Sequence, residues 1–224
     1  MSGSRSKAPG PSGFRIFSGF LDRSAQQRLA AELRVAGSMA PFFVPAMPKT
    51  GKPLSVRMTN LGVLGWVSDK DGGYRYQPTH PATGRPWPAI PESVLAVWRE
   101  VSGYAHVPEA CLVNFYEPTA KMGLHQDRDE EDFSAPVVSI SLGDDCLFRI
   151  GGLSRGGATL SLRLSSGDVV VLGGQSRLAF HGVDRVYPQT STLLGDWFPG
   201  GGRINLTLRR VTKHEAGRVE ATGE

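Results

Sequence analysis

Three polar residues interrupt segments that otherwise have the pattern of β-strands, and their types are those of metal ligands. His125 and Asp127 are separated by one residue, so an extended backbone directs both side chains the same way. Each side chain can then reach one ion at about 2 Å. His181 ends another short apolar run, and Gly182 after it permits a close approach. Two histidines and one carboxylate form a facial set that leaves three positions open on ferrous iron, so we predict an iron site.

A second motif places two arginines on one face of a strand. In the segment 203–209, residues alternate between two faces, with Ile204, Leu206 and Leu208 on the first. The other face carries Arg203, Asn205, Thr207 and Arg209. A planar guanidinium pairs with carboxylate or phosphate through two parallel hydrogen bonds, so this face is suited to holding a dianion in a cavity. The alternative is an edge strand with a solvated polar face.

Each polar residue also has a plainer explanation when it is taken alone. The largely acidic run 127–132 is typical of a solvated turn, and His181 could be a core histidine bonded to backbone. One site for a metal and a dianion explains all of these polar intrusions together, and we favour it for that reason. The remaining histidines, His80, His106 and His214, lie in loops or the tail and are expected to be solvated.

The elements that must position these residues are mostly short strands. From residue 110 onward, apolar runs separated by Gly, Asp, Ser or Pro predict strands at 111–116, 137–142, 147–150, 159–164, 168–172, 178–180 and 203–211. This spacing, with 28 glycines and 16 prolines, favours a sandwich, jelly roll or barrel. Two helices are also predicted. The first follows caps at Asp22 and Ser24 and ends at Gly37, and the second begins at Pro91 and ends at Gly103.

Length and composition predict one globular domain. The chain has 224 residues, 40% hydrophobic and 21% charged, and we expect a disordered tail at 1–13, a domain at 14–213 and a polar tail at 214–224. No apolar run approaches the roughly 18 residues of a membrane-spanning helix, and the N-terminus lacks the apolar region of a secretion signal. Two cysteines, expected to be reduced and buried, favour the cytoplasm. The net charge of +4 permits a phosphate-bearing partner.

Several motifs, taken in order, resemble those of the AlkB family of alkylation-repair dioxygenases, which depend on iron(II) and 2-oxoglutarate. The similarity runs through residues 54–211. It rests on Met58-Thr-Asn-Leu-Gly62, Leu64-Gly-Trp66, Arg85-Pro-Trp-Pro88, Asn114-Phe-Tyr116, Leu124-His-Gln-Asp127, Gly167-Asp-Val-Val-Val171, His181 and Arg203-Ile-Asn-Leu-Thr-Leu-Arg209. The resemblance implies a double-stranded β-helix, a form of jelly roll, with its core at about 110–211. It also implies a nucleotide-recognition lid at about 40–90.

The resemblance also implies roles for individual residues at the iron and the cosubstrate. His125, Asp127 and His181 would hold iron. Arg203 would pair with the distal carboxylate of 2-oxoglutarate, supported by hydrogen bonds from Asn114 and Tyr116, while Arg209, assisted by Asn205, would hold the carboxylate end that chelates iron. A dianion buried beside a dication needs such charge partners, because desolvation would otherwise expel it.

Substrate contacts follow from the same resemblance. A flipped base would stack between Trp66 and the His125 imidazole, because an alkylated base must leave its stack to reach the iron. The other implied substrate contacts are Tyr76 and Tyr74 to the backbone phosphate, Asp129 to the exocyclic amine, Arg155 near the base pocket, and Met58.

The implied function is oxidative demethylation of 1-methyladenine and 3-methylcytosine in single-stranded or locally opened DNA. Fe(II) is the expected cofactor, and O2 and 2-oxoglutarate are cosubstrates that yield succinate, CO2 and formaldehyde. The same chemistry on RNA or a protein side chain is the nearest alternative. A non-catalytic jelly-roll module with a structural zinc would need a fourth ligand and would not explain Arg203 and Arg209. A zinc hydrolase is disfavoured because no obvious general base accompanies the three ligands. We expect a monomer.

Overall fold

Residues 11–213, which the computed structural model describes, form twelve strands and two α-helices. The helices are α1 (Arg23–Met39) and α2 (Glu92–Val101). The strands are β1 (Phe14–Phe17), β2 (Arg57–Gly62), β3 (Gly65–Asp69), β4 (Gly73–Gln77), β5 (Ala110–Tyr116), β6 (Met122–His125), β7 (Val137–Gly143), β8 (Asp145–Ile150), β9 (Leu160–Leu164), β10 (Val169–Leu172), β11 (His181–Tyr187) and β12 (Arg203–Arg209). The predicted tails lie outside the described residues, except for residues 11–13, which form a turn into β1.

Two antiparallel sheets carry the fold and confirm the predicted jelly roll. The major sheet has the order β1-β10-β7-β12-β5-β2, and the minor sheet has the order β6-β11-β8-β9. Non-consecutive strands lie side by side in both, as a double-stranded β-helix requires. The hairpin β3-β4 forms a separate two-stranded sheet within the predicted lid. The division into lid and core stays a prediction.

Alternation along the strands divides the interior into two apolar layers. One layer packs the helices against the outer face of the major sheet and includes Leu33, Trp98 and Leu206. The other fills the space between the sheets and includes Phe148 and Val170. The site residues share the second space, because they alternate with those of the first layer along β5 and β12.

Strand β12 is central, so the edge-strand alternative is wrong. It pairs with β5 on one side and β7 on the other. Ile204, Leu206 and Leu208 are fully buried in the helix-facing layer, while Arg203 and Arg209 are buried on the opposite face. A central strand has no solvated face here, so its polar side chains must find partners inside the protein.

The helices were predicted correctly in place, with two corrections at α1. Asp22 caps its N-terminus by accepting a hydrogen bond from the Ala25 N–H at 2.7 Å, so the alternative cap at Ser24 is wrong. The helix also continues past Gly37 to Met39. Gly37 is needed for packing, since a Cβ there would lie 3.0 Å from the Trp197 ring. Helix α2 was predicted to begin at Pro91 and begins one residue later, with Pro91 as its N-cap, and Gly103 lies just beyond its end.

Two further predictions from the sequence are wrong. His80 is 3% exposed, because its Nε2–H donates to the Pro41 carbonyl and its Nδ1 accepts from the Ala82 and Thr83 N–H groups. The strand predicted at 178–180 is also displaced, since β11 begins at His181. Within residues 11–213, no helix combines the length and apolar character needed to cross a membrane.

Candidate active site

The two candidate histidine ligands face each other across the minor sheet. His125 ends β6 and His181 begins β11, and antiparallel register places them directly opposite, with ring centroids 4.5 Å apart. Each Nδ1–H donates to the carbonyl oxygen two residues earlier, Gly123 for one and Ala179 for the other, at 3.0 Å. This hydrogen bond fixes the tautomer and leaves the Nε2 lone pair of each ring free to bind a metal.

Asp127 completes a cluster of three potential ligands. Its Oδ1 lies 3.8 Å from His125 Nε2, and its Oδ2 lies 3.8 Å from His181 Nε2. The donor atoms of the three residues all lie within 4.8 Å of one another. Arg209 Nη2 donates to Oδ1 at 2.8 Å, whereas the buried Oδ2 has no hydrogen-bond partner among residues 11–213. Oδ1, the oxygen nearer His125, is therefore held by Arg209, and Oδ2 faces His181.

Electrostatics keep these ligands in the forms that bind metal. Burial alone would raise the pKa of Asp127, but the charges of Arg209 and the nearby histidines outweigh it and hold this pKa well below its ordinary value. Burial, followed by the neighbouring His125, lowers the pKa of His181 to about 4. Near neutral pH, the site therefore offers an ionised carboxylate and a neutral His181.

The candidate cosubstrate residues meet on the neighbouring major sheet. Arg203 pairs in register with Tyr116, and Asn205 with Asn114. Arg203 is 1% exposed, and its Nη2 donates to Ser141 Oγ at 2.9 Å. Within the described chain its Nε and Nη1, and Asn114 Oδ1, lack hydrogen-bond partners. Burial raises the pKa of Tyr116, so its phenol stays protonated and can donate a hydrogen bond.

Arg209 and Tyr76 join the β3-β4 hairpin to the cluster of candidate ligands. Arg209 Nη1 donates to the Tyr76 hydroxyl at 3.1 Å, and Tyr76 in turn donates to Glu130 Oε1. Burial raises the pKa of Tyr76 above its ordinary value. In this conformation both residues are engaged by protein groups, so the predicted contacts of Tyr76 with phosphate and of Arg209 with 2-oxoglutarate would require new partners. Asn205 donates to Ser139 Oγ at 2.6 Å.

Trp66 contacts two of the other candidate substrate residues, Tyr74 and Asp129. The Trp66 indole stacks on Tyr74, with centroids 5.6 Å apart, and its Nε1–H donates to Asp129 Oδ2 at 2.8 Å. Arg155 is exposed and lies over the Phe180 ring at 5.1 Å. Met58 is 2% exposed in the inter-sheet layer, against which Trp66 also packs.

Three residues of this region were not identified from the sequence. Asn60 pairs with the backbone of Trp66, donating to its carbonyl and accepting from its N–H, both at 3.0 Å. Glu130 belongs to the acidic run that was given the alternative of a solvated turn, yet it is 4% exposed and bridges Arg177 to Tyr76. Arg177 precedes β11, and its spacing from other polar residues matches no motif identified in the sequence. The motif Met58–Gly62 contained Asn60 but offered no sign of its role.

Replacing Asn60 with leucine is expected to lower the free energy of unfolding by about 1–3 kcal/mol. Leucine has a similar volume but leaves the Trp66 N–H and C=O without their partners, and unmet buried groups cost about this much. Urea unfolding measures the change. Val63→Ala, just after the end of β2 at a residue that is 69% exposed, is the matched control and should be neutral. Equal stability of Asn60→Leu and wild type would contradict this role.

Comparison with known proteins identifies relatives along nearly the whole chain. Residues 13–209 match the model of the 2OG-Fe(II) oxygenase superfamily. An "Alpha-ketoglutarate-dependent dioxygenase AlkB homolog" from Caulobacter vibrioides is 54% identical over 199 residues, covering 89% of this chain and 88% of the relative. The "Alpha-ketoglutarate-dependent dioxygenase AlkB" of Escherichia coli is 41% identical over 196 residues, covering 86% and 88%.

A solved structure extends the match to three dimensions. The structure of OsALKBH1 superimposes with a TM-score of 0.73 at 32% sequence identity, covering 91% of this chain and all of that one. The fold of this chain is therefore shared with a solved relative over most of its length.

Proposed function

The chain belongs to the AlkB family within the 2OG-Fe(II) oxygenase superfamily, and from that premise we propose that it demethylates N-alkylated nucleobases by oxidation. It is an Fe(II)- and 2-oxoglutarate-dependent dioxygenase that also consumes O2. The substrates we propose are 1-methyladenine and 3-methylcytosine in single-stranded or locally opened DNA. We further propose that it acts as a monomer in the cytoplasm, where its two buried thiols would stay reduced.

The residues of the cluster fit a bound iron. We propose that His125, Asp127 and His181 hold it, because two free Nε2 lone pairs and an unpartnered carboxylate oxygen converge there within residues 11–213. An isolated buried carboxylate oxygen is costly, and a cation between it and the imidazoles would remove that cost. The set supplies one face of ligands and leaves positions for the cosubstrate and O2.

The second set fits a dicarboxylate. We propose that Arg203 receives the distal carboxylate of 2-oxoglutarate, with Tyr116 and Asn114 beside it. Arg203 gives the proposal its main support, since two of its buried nitrogens lack hydrogen-bond partners in the described part of the chain. A carboxylate is the acceptor that a planar guanidinium pairs with best. Arg209 and Asn205 would complete the pocket on the iron side.

The protein's part in the reaction is to orient, charge-balance and dry the site. Iron, when bound with 2-oxoglutarate and O2, supplies the oxidation that hydroxylates the N-methyl carbon, and the product collapses to formaldehyde and the unmodified base. Trp66 would hold the flipped base by stacking, and Asp129 would favour a cationic methylated base through its charge. Tyr74, which is 53% exposed, is better placed than Tyr76 to meet a phosphate.

One observation carries the proposal, namely that the His-Asp-His cluster and the buried guanidinium of Arg203 line the same interior space. His125 and His181 lie on the minor sheet, Asp127 follows β6, and Arg203 lies on the face of the major sheet opposite the helix-facing layer. A zinc hydrolase or a structural metal site would have no use for a buried dianion receptor beside the metal. A 2-oxoglutarate dioxygenase needs both.

The direct test supplies Fe(II) without oxygen, then adds O2, 2-oxoglutarate and a short single-stranded oligonucleotide with one 3-methylcytosine. Repaired base and succinate are both quantified by mass spectrometry. We expect one repaired base for each succinate formed in excess of a substrate-free control. Succinate without repair would keep the dioxygenase and reject this substrate, and neither product from folded, iron-loaded protein would reject the function.

RNA is the second candidate substrate because one of two more distant relatives is named for an RNA substrate. An Arabidopsis thaliana relative is named a "DNA N(6)-methyladenine demethylase", and a Schizosaccharomyces pombe relative a "tRNA demethylase". Each aligns with about half of this chain, 46% and 53% respectively. Measuring kcat/KM on a ribo-oligonucleotide of identical sequence, with the same 3-methylcytosine, shows whether DNA or RNA is the better substrate. We expect higher kcat/KM on the DNA form.

Trp66→Ala is expected to lower kcat/KM on the methylated oligonucleotide by about 5- to 150-fold, since stacking one base on an aromatic ring is worth about 1–3 kcal/mol. Succinate formation without nucleic acid should persist, because the indole holds no cosubstrate. Trp66→Phe is the matched control: it keeps an aromatic face, loses only the hydrogen bond to Asp129, and should keep most activity. Equal repair by the alanine variant and wild type would reject the stacking role.

A further inference from the structure

A buried arginine outside the proposed ligand and substrate sets ties together the two segments that carry the ligands. Arg177 is 2% exposed and all three nitrogens of its guanidinium donate hydrogen bonds. Nη1 donates to the main-chain oxygen of Asp127 at 2.7 Å, Nε to that of Ala135 at 2.9 Å, and Nη2 to Glu130 Oε2 at 3.0 Å. One guanidinium thus holds both ends and the middle of the loop 127–135.

The position of Arg177 in the chain lets it connect the two segments that carry the candidate ligands. Arg177 lies four residues before His181, in the turn that leads into β11. The loop that it holds begins at Asp127, two residues after the end of β6. A second tie runs beside it, because Gln126 Nε2 donates to the Leu178 carbonyl at 2.6 Å. The segment 125–127 and the segment 177–181 are therefore fastened to each other next to the ligands and independently of any metal.

Asp127 needs such support because its own strand does not provide it. It lies beyond the end of β6, where ladder hydrogen bonds no longer fix the backbone. Its side chain is held on one side by Arg209, which leaves the direction of the main chain to be set by another group. The bond from Arg177 to the Asp127 carbonyl sets that direction, so it determines where Oδ2 points.

We propose that Arg177 is a positioning residue that holds Asp127 in register with His181 for metal binding, with Glu130 as its charge partner. The inference rests on the proposed metal site and deepens it. The side chain does not touch the metal ligand atoms, so it acts through the backbone of Asp127. Partners in this outer layer typically change metal affinity by about 10- to 100-fold when they are replaced.

A competing explanation is that Arg177 only neutralises the buried Glu130. Glu130 is 4% exposed, and removing Arg177 would leave it only the longer ion pair with Arg209, at 3.5 Å, which would destabilise the fold with no specific effect on the metal. The two explanations differ for a double variant that removes both charges. Arg177→Met with Glu130→Gln eliminates the unpaired charge but does not restore the hydrogen bond to the Asp127 carbonyl.

The test measures Co(II) binding to the full chain by anaerobic titration without nucleic acid, using the d–d absorption that reports coordination geometry. Wild type is compared with Arg177→Lys, Arg177→Met and the double variant, and thermal unfolding is followed for each. Arg163→Met is the matched control, because it breaks an Arg–Asp pair of similar length, 2.7 Å to Asp145, on an exposed side chain.

We expect Arg177→Lys, which keeps the charge but not the three-armed geometry, to fold and to bind Co(II) about 10- to 100-fold more weakly. The double variant should recover thermal stability relative to Arg177→Met but not metal affinity, and its absorption spectrum should stay altered. Arg163→Met should bind as wild type does. Wild-type affinity in both the lysine variant and the double variant would overturn the inference. Failure of wild type itself to bind Co(II) would instead reject the metal site on which it rests.

Discussion

Replacing Asp127 with alanine is expected to abolish turnover, lowering the rate of succinate formation by at least about a thousand-fold. Loss of a carboxylate ligand removes the negative charge that balances the metal, and an effect of roughly 4 kcal/mol corresponds to that factor. No neighbour can replace it, because Glu130 directs its carboxylate oxygens to Tyr76 and Arg177. Succinate formation and Co(II) affinity are the two measurements.

The alanine variant alone would leave an ambiguity, because Asp127 also forms a buried ion pair with Arg209 at 2.8 Å. Breaking a buried pair from one side costs about 3–5 kcal/mol of folding free energy. Asp127→Asn resolves this, since its amide oxygen still accepts from Arg209 while the negative charge is gone. We expect the asparagine variant to remain folded and to be nearly as inactive as the alanine variant.

A matched control keeps the same change away from the cluster. Asp184 pairs with Arg149 at 2.7 Å on β11, the strand that also carries His181, so Asp184→Asn breaks an ion pair of similar length on the same strand. It should retain full activity and metal affinity. Full activity of Asp127→Asn, or normal Co(II) binding by it, would reject Asp127 as a metal ligand.

The sequence predicts the face of a strand more readily than it predicts which strand lies beside it. The alternation in 203–209 is a local property, and the structure shows those two faces. The pairing of Arg203 with Tyr116, and of His125 with His181, depends on register between segments far apart in the chain. Periodicity carries no information about that register. The residue types favoured one shared site for a metal and a dianion, but these strand pairings could not be predicted from them.

The burial of individual charged residues cannot be predicted from a local run of acids, as residues 127–132 show. Asp127 and Glu130 are buried while Asp129 between them is exposed. The difference comes from Arg177 and Arg209, which reach this loop from the turn before β11 and from β12. A run of acids has the same appearance in a sequence whether or not distant cations meet it, because the compensation is tertiary.

The predictions of a solvated His80 and of a helix end at Gly37 are wrong for the same reason. A histidine in a loop is usually solvated, but His80 meets a carbonyl and two amide groups that satisfy both ring nitrogens. A glycine near the end of an apolar pattern usually stops a helix, but Gly37 makes room for Trp197 while the helix continues. In both cases a residue from another segment overrides the local preference.

Arg203→Met is expected to raise the KM for 2-oxoglutarate by at least about 30-fold. Truncating one partner of a buried, hydrogen-bonded charge pair costs about 2–5 kcal/mol, and the lower figure corresponds to this factor. Methionine keeps most of the volume and removes the charge. The only side-chain hydrogen bond of Arg203 within residues 11–213, to Ser141 Oγ, contributes far less than a carboxylate pair would. The concentration dependence of succinate formation measures the change.

Arg210→Met provides the control, because Arg210 directly follows Arg209, the last residue of the polar face. Arg210 pairs with Glu109 at 3.4 Å, just past the end of β12, and lies away from the space between the sheets. Its replacement removes the same functional group from the same part of the chain. We expect its KM for 2-oxoglutarate to equal that of wild type, so that a general effect of losing positive charge can be separated from a specific one.

The decisive comparison uses a 2-oxo acid of similar length that lacks the distal carboxylate, such as 2-oxovalerate. If Arg203 grips that carboxylate, wild type should strongly prefer 2-oxoglutarate, and Arg203→Met should lose most of the preference by binding the dianion worse and not the monoanion. The interaction is then assigned by the non-additivity of the two changes, one in the protein and one in the ligand. Equal weakening of both acids would mean that Arg203 supports the fold of β12 through Ser141, and that the dianion is held elsewhere.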